Sequence, residues 1–512
     1  MKLALPCFGL LLAALMPWGA ASAGQVAPAA SACPVASDGL YPAPPARAQD
    51  IPWNRWLLDC VPPLRHERGG RWPLVLWHGP QWKGVSDADL KAYAARGIVP
   101  TVRLVTEDIP RAQRLQRLGL PVIALEGKGG AWPYDQAGDA KLWALDLPPG
   151  AEIPDRWRRE PDPLRLDLWA KAADQLRDVL RAYQAAGVTL DAAWLDYEGH
   201  PAILDYDALL AAPKARAKVP PAALASPEAF YAYRRQLWIQ LMSAYVAGPI
   251  REFYPSASVT NWIHLLSSPE HPAQSWDNWY QPDLSATLFT ATNPVAYGVD
   301  TAFQNVWPPG REPDQASVDR AYMHILLRQP SVDAQNRALK APYLHAVPWV
   351  ARWVRDVDDS RTPVMSRTAY REALRHLWLR GTAAMQVFNP LRNSHPAESL
   401  AEVQDAVAVY DEMLAWHDLL DHGEVMNYQV PGPDDQGLLW SGVRTANTAL
   451  VRLYPLGKDA PKWLDITVWP GQRVVLQVPA GGTSYRIERT SASAQARVFR
   501  LSVPAAPAVH RP

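Results

Sequence analysis

From Trp72 to about residue 390, short apolar runs alternate with stretches of helical period. The runs are 73–77, 98–105, 121–125, 192–195, 257–263, 286–292, 343–347 and 384–388, bounded by Gly, Pro or polar residues. Continuous apolar runs, rather than alternating ones, predict strands covered on both faces, as in a parallel sheet. Between them, Ser86 and Asp89 make a capping-box pattern that opens a helix stopping at Gly97. Leu164 to Ala186 reads as a long helix ended by Gly187, and Ser226-Pro227 as the cap and first turn of a helix to about Phe253. Ser317 to Arg328 (with Ser317 as N-cap), Arg367 to Arg380, and Ala397 to Leu420 supply three more, while residues 265–285 show little helix.

Eight strands with interleaved helices predict an α/β fold, a (β/α)8 TIM barrel spanning residues 71–421. The rival is an open doubly wound sheet. It carries a glycine-rich loop after its first strand, where this chain has Trp77-His78-Gly79-Pro80. After Asp421 the pattern changes to alternation, in 437–443, 448–454, 463–468, 473–478 and 484–488, with turns at Pro470-Gly471 and Gly481-Gly482. Residues 422–505 are therefore expected to form a C-terminal all-β, sandwich-like domain.

The N-terminal side lacks such periods. Residues 1–23 have the form of a signal peptide: Lys2, the apolar stretch Leu3 to Met16, and Ala21-Ser22-Ala23 before Gly24. This predicts export to the periplasm or the exterior and no integral membrane segment in the mature chain. Residues 24–70 are rich in Ala and Pro and read as an arm over the body. Of the three cysteines, Cys7 would leave with the signal, so Cys33 and Cys60 are expected to pair in an oxidising compartment. The 51 basic residues balance the 51 acidic ones, with no basic stripe, which argues against a nucleic-acid partner.

Candidate chemistry concentrates on the fourth run, Ala193-Trp194-Leu195-Asp196-Tyr197-Glu198-Gly199. Side chains alternate along a strand, so Asp196 and Glu198 share one face, with Cα atoms roughly 6.6 Å apart. With Leu195 turned to the helices, both acids face inward at the barrel end where such enzymes keep catalytic groups. Two acids that close cannot both ionise freely, so one should hold a proton near neutral pH. Tryptophan is also abundant, with 23 copies, many near run ends: Trp77, Trp82, Trp132, Trp262, Trp276, Trp279 and Trp349. Indole faces suit the apolar faces of sugars, and indole N–H groups suit hydroxyls. Arg103, Glu126 with Lys128, Asn261, Asn293, Tyr297, His345 and Asn389 add polar groups at run ends, and Glu126 and Asp300 are further acids. The chain has no H-E-x-x-H, G-x-S-x-G or Walker sequence, and its scattered histidines (His78, His200, His264) make no metal motif. Neither a cofactor nor a metal is expected.

The Asp196-Tyr197-Glu198 end of the fourth run, with Pro201 soon after, resembles the hyaluronidase family, whose fourth barrel strand ends in Asp-Trp-Glu. It differs from that family in lacking Trp-Arg-Pro after the motif and in having Phe388-Asn389 near the eighth strand. The resemblance implies a glycoside hydrolase in which Glu198 is the general acid and Asp196 orients a 2-acetamido group whose oxygen attacks the sugar. Tyr297 would match an assisting tyrosine. The run Val347-Pro348-Trp349-Val350-Ala351 carries no acid where common retaining barrels place a nucleophile, which a substrate-supplied nucleophile would explain. In the other retaining arrangement Asp196 is the nucleophile and an acid such as Asp300 assists.

The expected partner is thus a carbohydrate, a polysaccharide or glycan, with Trp77, Glu126, Trp132, Trp262, Asn293, Tyr297, Trp349 and Asn389 as substrate-binding residues. Two other readings fit the same residues: a non-catalytic carbohydrate-binding barrel, and a polysaccharide deacetylase, which would need a metal.

Overall fold

The computed structural model describes residues 33–36, 38, 40–41, 51–126, 166–196, 206–211, 213–262, 265–266, 280–281, 288–354, 362–490 and 496–501. Among these, Cys33 and Cys60 are both disulfide-bonded. No described helix is long and apolar enough to cross a membrane.

The predicted runs become parallel strands. They are β1 (Val75–Leu76), β2 (Ile123–Glu126), β3 (Ala192–Leu195), β4 (Ser258–Asn261), a short pair β5 (Leu265–Leu266) and β6 (Tyr280–Gln281), then β7 (Ala291–Thr292), β8 (Val295–Val299), β9 (His345–Ala346), β10 (Trp349–Val354) and β11 (Gln386–Val387). Strands β2, β3 and β4 form one parallel sheet and β1, β11, β10 and β8 another, and β7 pairs with β9. The run 98–105 is held by single bridges, Ile98 to Leu74 and Val102 to Ala124. Between β4 and the sixth run, the Thr290 N–H donates to the Val259 carbonyl at 2.9 Å, and the Val259 N–H to Thr290 Oγ1 at 2.8 Å. The eight runs are therefore neighbours in the predicted order, but they do not close into one continuous ladder.

Alternation along these strands sorts apolar side chains into two layers. Leu74, Leu76, Ala124, Ala193, Leu195, Val259 and Val350 join the helices in one cluster. Val75, Ile123, Leu125, Ala192, Trp194, Ala291, Trp349 and Ala351 form a second cluster on the other, inner face of the strands. The helices follow their sequence signals closely. Ser86 and Asp89 make a full capping box at Asp87–Ala94, Leu166–Ala185 ends before Gly187 at φ 73°, and the Ala229 N–H is capped by Ser226 Oγ.

Several expectations are corrected. The helix expected over 317–328 spans Gln315–Lys340, and its N-cap is Asp314, which accepts from the Ser317 N–H. It runs through Pro330 because the surrounding turns are packed: Leu326 and Leu327 are buried, and the Ser331 hydroxyl bonds the Leu327 carbonyl. The helix expected over 397–420 breaks at Ala415–Trp416 into Pro396–Leu414 and His417–His422. The arm contains a helix, Trp53–Cys60, whose buried Trp53 and Leu57 sit one turn apart.

The sixth and seventh runs are longer than predicted. Pro294 and Pro348 each interrupt a strand that then resumes as β8 and β10. A proline lacks the N–H of one ladder position, so apolar continuity breaks there in sequence without the strand ending in space. Tyr297 and Trp349 accordingly lie within strands rather than after them. His345 stands at the start of the seventh strand, the end opposite to the one expected for it.

The C-terminal part is antiparallel. Strands β12 (Glu424–Val425), β13 (Leu438–Arg444), β14 (Thr448–Pro455), β17 (Thr483–Glu488) and β18 (Arg497–Leu501) form one sheet, and β15 (Trp463–Trp469) with β16 (Gln472–Gln477) form a hairpin. One sheet face sends Leu439, Val443 and Leu450 into the cluster shared with the helices that cover the parallel strands. The other sends Val451, Leu453 and Ile487 against Ile466, Val468 and Leu476 of the hairpin. Charged groups tie the sheet to the helix Arg367–Trp378: Arg452 donates to both oxygens of Glu372 at 2.6 and 2.7 Å.

Candidate active site

Asp196 follows β3 on the face shared by Ala192 and Trp194, the inner layer, and is 7% exposed. Leu195, its neighbour, packs outward among helix residues. Leu195 is in register with Asn261, and the Trp262 N–H donates to the Leu195 carbonyl at 2.7 Å. Asp196 and Trp262 are thus the next matched positions along the β3–β4 pair. Glu198, Trp132, Lys128, His200, His264, Trp276 and Trp279 lie outside the described residues. So do the side chains of Glu126 and Asp300. The Glu126 backbone ends β2 in register with Leu195, and Asp300 begins the helix Asp300–Val306.

From Trp262 the inner rim continues as a chain of rings. The Trp262 indole N–H donates to the Tyr297 hydroxyl at 3.2 Å. Tyr297 stacks on Phe388 at 4.8 Å, Phe388 meets Trp77 edge-on at 5.5 Å, and Trp77 meets Trp349 at 5.3 Å. Trp77 and Trp262 are half-buried, while Trp349 is 1% exposed. Each such ring contact is worth about 0.5–1.5 kcal/mol beyond the area buried.

The polar candidates divide by what holds them. The Asn389 amide is committed to backbone, accepting from the His78 N–H at 2.8 Å and donating to the His78 carbonyl at 3.4 Å. It ties the end of β1 to the end of β11. The Asn261 amide donates to the Trp262 carbonyl at 3.0 Å. Asn293 is fully buried, and neither amide atom has a partner among the described residues. Exposed Arg103 lies 3.7 Å from Asp108, which also accepts from the Arg103 N–H. Burial, and then the charge of Arg392, push His78 down to about 4, so its ring is neutral at pH 7.

No family model matches the chain, and neither does any curated protein. Solved structures similar to it include the ligand-free cyclic alpha-maltosyl-(1→6)-maltose hydrolase from Arthrobacter globiformis, with 10% identity, 87% of this chain and 96% of that chain covered, and a TM-score of 0.38. A debranching enzyme from Nostoc punctiforme has 10% identity, 74% and 79% coverage and a TM-score of 0.36. A GH30 endoxylanase from Clostridium papyrosolvens has 13% identity, 84% and 98% coverage and a TM-score of 0.36.

Sequence inspection missed the end of the seventh strand. β10 shifts register between Ala351 and Val354, a bulge opposite Gly298 of β8. The Arg352 and Trp353 N–H groups both donate to Glu402 Oε1 at 3.1 Å, and the Arg352 guanidinium pairs with Glu398. A Cβ on Gly298 would overlap the Arg352 carbonyl oxygen. Gly298→Ala is therefore expected to cost about 1–3 kcal/mol, read as a lower midpoint of denaturant unfolding. The available signal was weak: a glycine inside an apolar run and glutamates spaced i, i+4 on a helix.

A second constellation has the form of a nucleophile site. His376 Nδ1 lies 2.8 Å from Ser441 Oγ, and His376 Nε2 lies 3.2 Å from Glu372 Oε1. All three residues are at most 1% exposed, and Arg380 also donates to the Ser441 hydroxyl. Burial pushes His376 down to about 4. Although burial opposes it, His376 and Arg452 hold Glu372 well below the usual carboxylate range. Fully buried, these groups join the C-terminal sheet to the helix Arg367–Trp378. Among the described residues, no cluster of three or more His, Cys, Asp or Glu could hold a metal ion.

Proposed function

We propose that the chain is a glycoside hydrolase on a closed (β/α)8 barrel, with Glu198 as general acid. The observation that carries this reading is the position of Asp196. It is a buried carboxylate on the inner face at the end of β3, matched to Trp262 and followed two residues later by Glu198. Its surroundings suit a sugar, because aromatic faces and an indole–phenol hydrogen bond line the rim beside it. Asp196 then holds a 2-acetamido group, in the division of labour that the hyaluronidase resemblance implies. Trp77, Trp262 and Tyr297 contact the substrate, and Glu126, Trp132, Asn293, Trp349 and Asn389 complete or support the pocket. The protein acts after export.

A second assignment of the nucleophile follows from the length of β10. The strand ends at Val354, not Ala351, and the sequence continues Arg355-Asp356-Val357-Asp358. Barrel enzymes draw catalytic groups from the ends of several strands, and this acid follows such an end two residues on in sequence. Asp356 is therefore a rival to the substrate's own acetamido group.

The test is a screen of the exported chain against polysaccharides with and without N-acetylhexosamine, products being sized by mass spectrometry. Release of oligosaccharides from acetamido polymers alone supports the first assignment. Release from polymers lacking acetamido groups, abolished by Asp356→Asn, supports the second. Binding of glycans without any product rejects catalysis and leaves a binding barrel; activity lost on chelation points to a deacetylase.

A further inference from the structure

The β15–β16 hairpin has two chemically distinct faces. Burial alternates strictly along β16, where Gln472, Val474 and Leu476 are buried and Arg473, Val475 and Gln477 exposed. The inward side chains complete the core of the β-domain, on the opposite side of its sheet from the barrel helices. On the outward face Trp463 is 58% exposed and Val475 59% exposed. Trp463 is directly opposite Gln477, Asp465 opposite Val475, and Thr467 opposite Arg473. Trp463 and Val475 are thus diagonal neighbours on one face of the hairpin.

Two properties of this surface narrow its occupant. Its charges cancel, because Arg473 pairs with Asp465 at 2.7 Å, leaving an indole face, a valine, an amide and a hydroxyl. An uncharged ligand with both apolar faces and hydroxyls complements that set. Its apolar extent is also small. Two side chains offer roughly 250 Å² at most, against about 600 Å² or more that each partner buries in a stable protein interface, so a second copy of the chain has too little to hold.

We propose that the outer face of the β15–β16 hairpin binds an uncharged polysaccharide chain, with Trp463 stacked on a sugar ring and Gln477 and Thr467 bonding its hydroxyls. The choice of a glycan rests on the reading of the barrel as glycan-active. The hairpin surface is a separate site that would keep polymer near the barrel.

The test is affinity electrophoresis of the full chain in gels containing starch, xylan, β-glucan, galactomannan or glycol chitin, with pull-down on cellulose and chitin. Wild type is expected to be retarded by at least one of these neutral polymers, with binding at least about tenfold weaker in Trp463→Ala and largely kept in Trp463→Tyr. Thermal midpoints should be unchanged, since the indole supports no core. Equal retention of wild type and Trp463→Ala, or retention by none of the polymers, overturns the proposal. Cleavage of short soluble oligosaccharides is scored separately. Trp463-dependent binding without cleavage rejects only the barrel reading, and cleavage without Trp463-dependent binding rejects only this one.

Discussion

Glu198→Gln is expected to lower kcat on the hydrolysed glycan by roughly 10²–10⁴-fold, with KM and the thermal midpoint near wild type. Gln keeps the size and the hydrogen-bonding oxygen of Glu but cannot deliver a proton to the leaving oxygen. The loss should therefore depend on the leaving group. An aryl glycoside that departs as a stable phenolate needs little protonation, so its aryl-release step should lose much less rate than release of a sugar leaving group. The limb of the pH–rate profile in which activity falls with rising pH should also disappear, since it reports the proton on the general acid. Uniform loss on both substrate types would instead mean that Glu198 binds or supports the site. Asp196→Asn separates the remaining roles: an attacking carboxylate loses almost all turnover, while an orienting one loses most on acetamido substrates.

Glu402→Ala should produce the largest loss of stability, about 2–5 kcal/mol, because it strands two buried N–H donors at the bulge of β10. Glu402→Gln keeps an acceptor oxygen and should be nearly neutral. The two variants also differ in pH dependence. Burial pushes Glu402 up to about 8 from an ordinary 4.5, outweighing the Arg352 charge and the two N–H donors. The folded chain thus keeps a proton that the unfolded chain releases between those values. The contribution to stability is fully present below about 4.5 and is lost as pH rises toward 8, at no more than about 1.4 kcal/mol per pH unit. Chemical denaturation at pH 5 and pH 8 should show this fall in wild type and a flatter response in Glu402→Gln. An equal slope in both would show that the carboxylate is already ionised at pH 5.

The positions of Asp196 and Leu195 on opposite faces were legible because a strand has a period of two and the run before them is apolar throughout. The capping box at Ser86 and the terminal glycine at Gly187 were legible for a similar reason, since their signals lie within one turn of the backbone. The true ends of the sixth and seventh strands were not. Pro294 and Pro348 break the apolar pattern exactly as a strand end would, and only pairing with a neighbour shows that the strand resumes. Asn389 looked like a rim amide free for a ligand, yet its partner is the backbone of His78, 311 positions away.

The sequence by itself determined most of the parallel strands and helices, which face of β3 carries the acid, and the change to antiparallel strands after residue 421. These properties follow from side-chain period and from caps that span a few residues. Tertiary structure decided how far β10 runs, why Gly298 lies opposite its bulge, and that the Ser441–His376–Glu372 cluster is buried between the C-terminal sheet and the helix Arg367–Trp378. Those outcomes depend on contacts between residues distant in the chain, such as Arg452 with Glu372 and Glu402 with Arg352, and no local pattern encodes them.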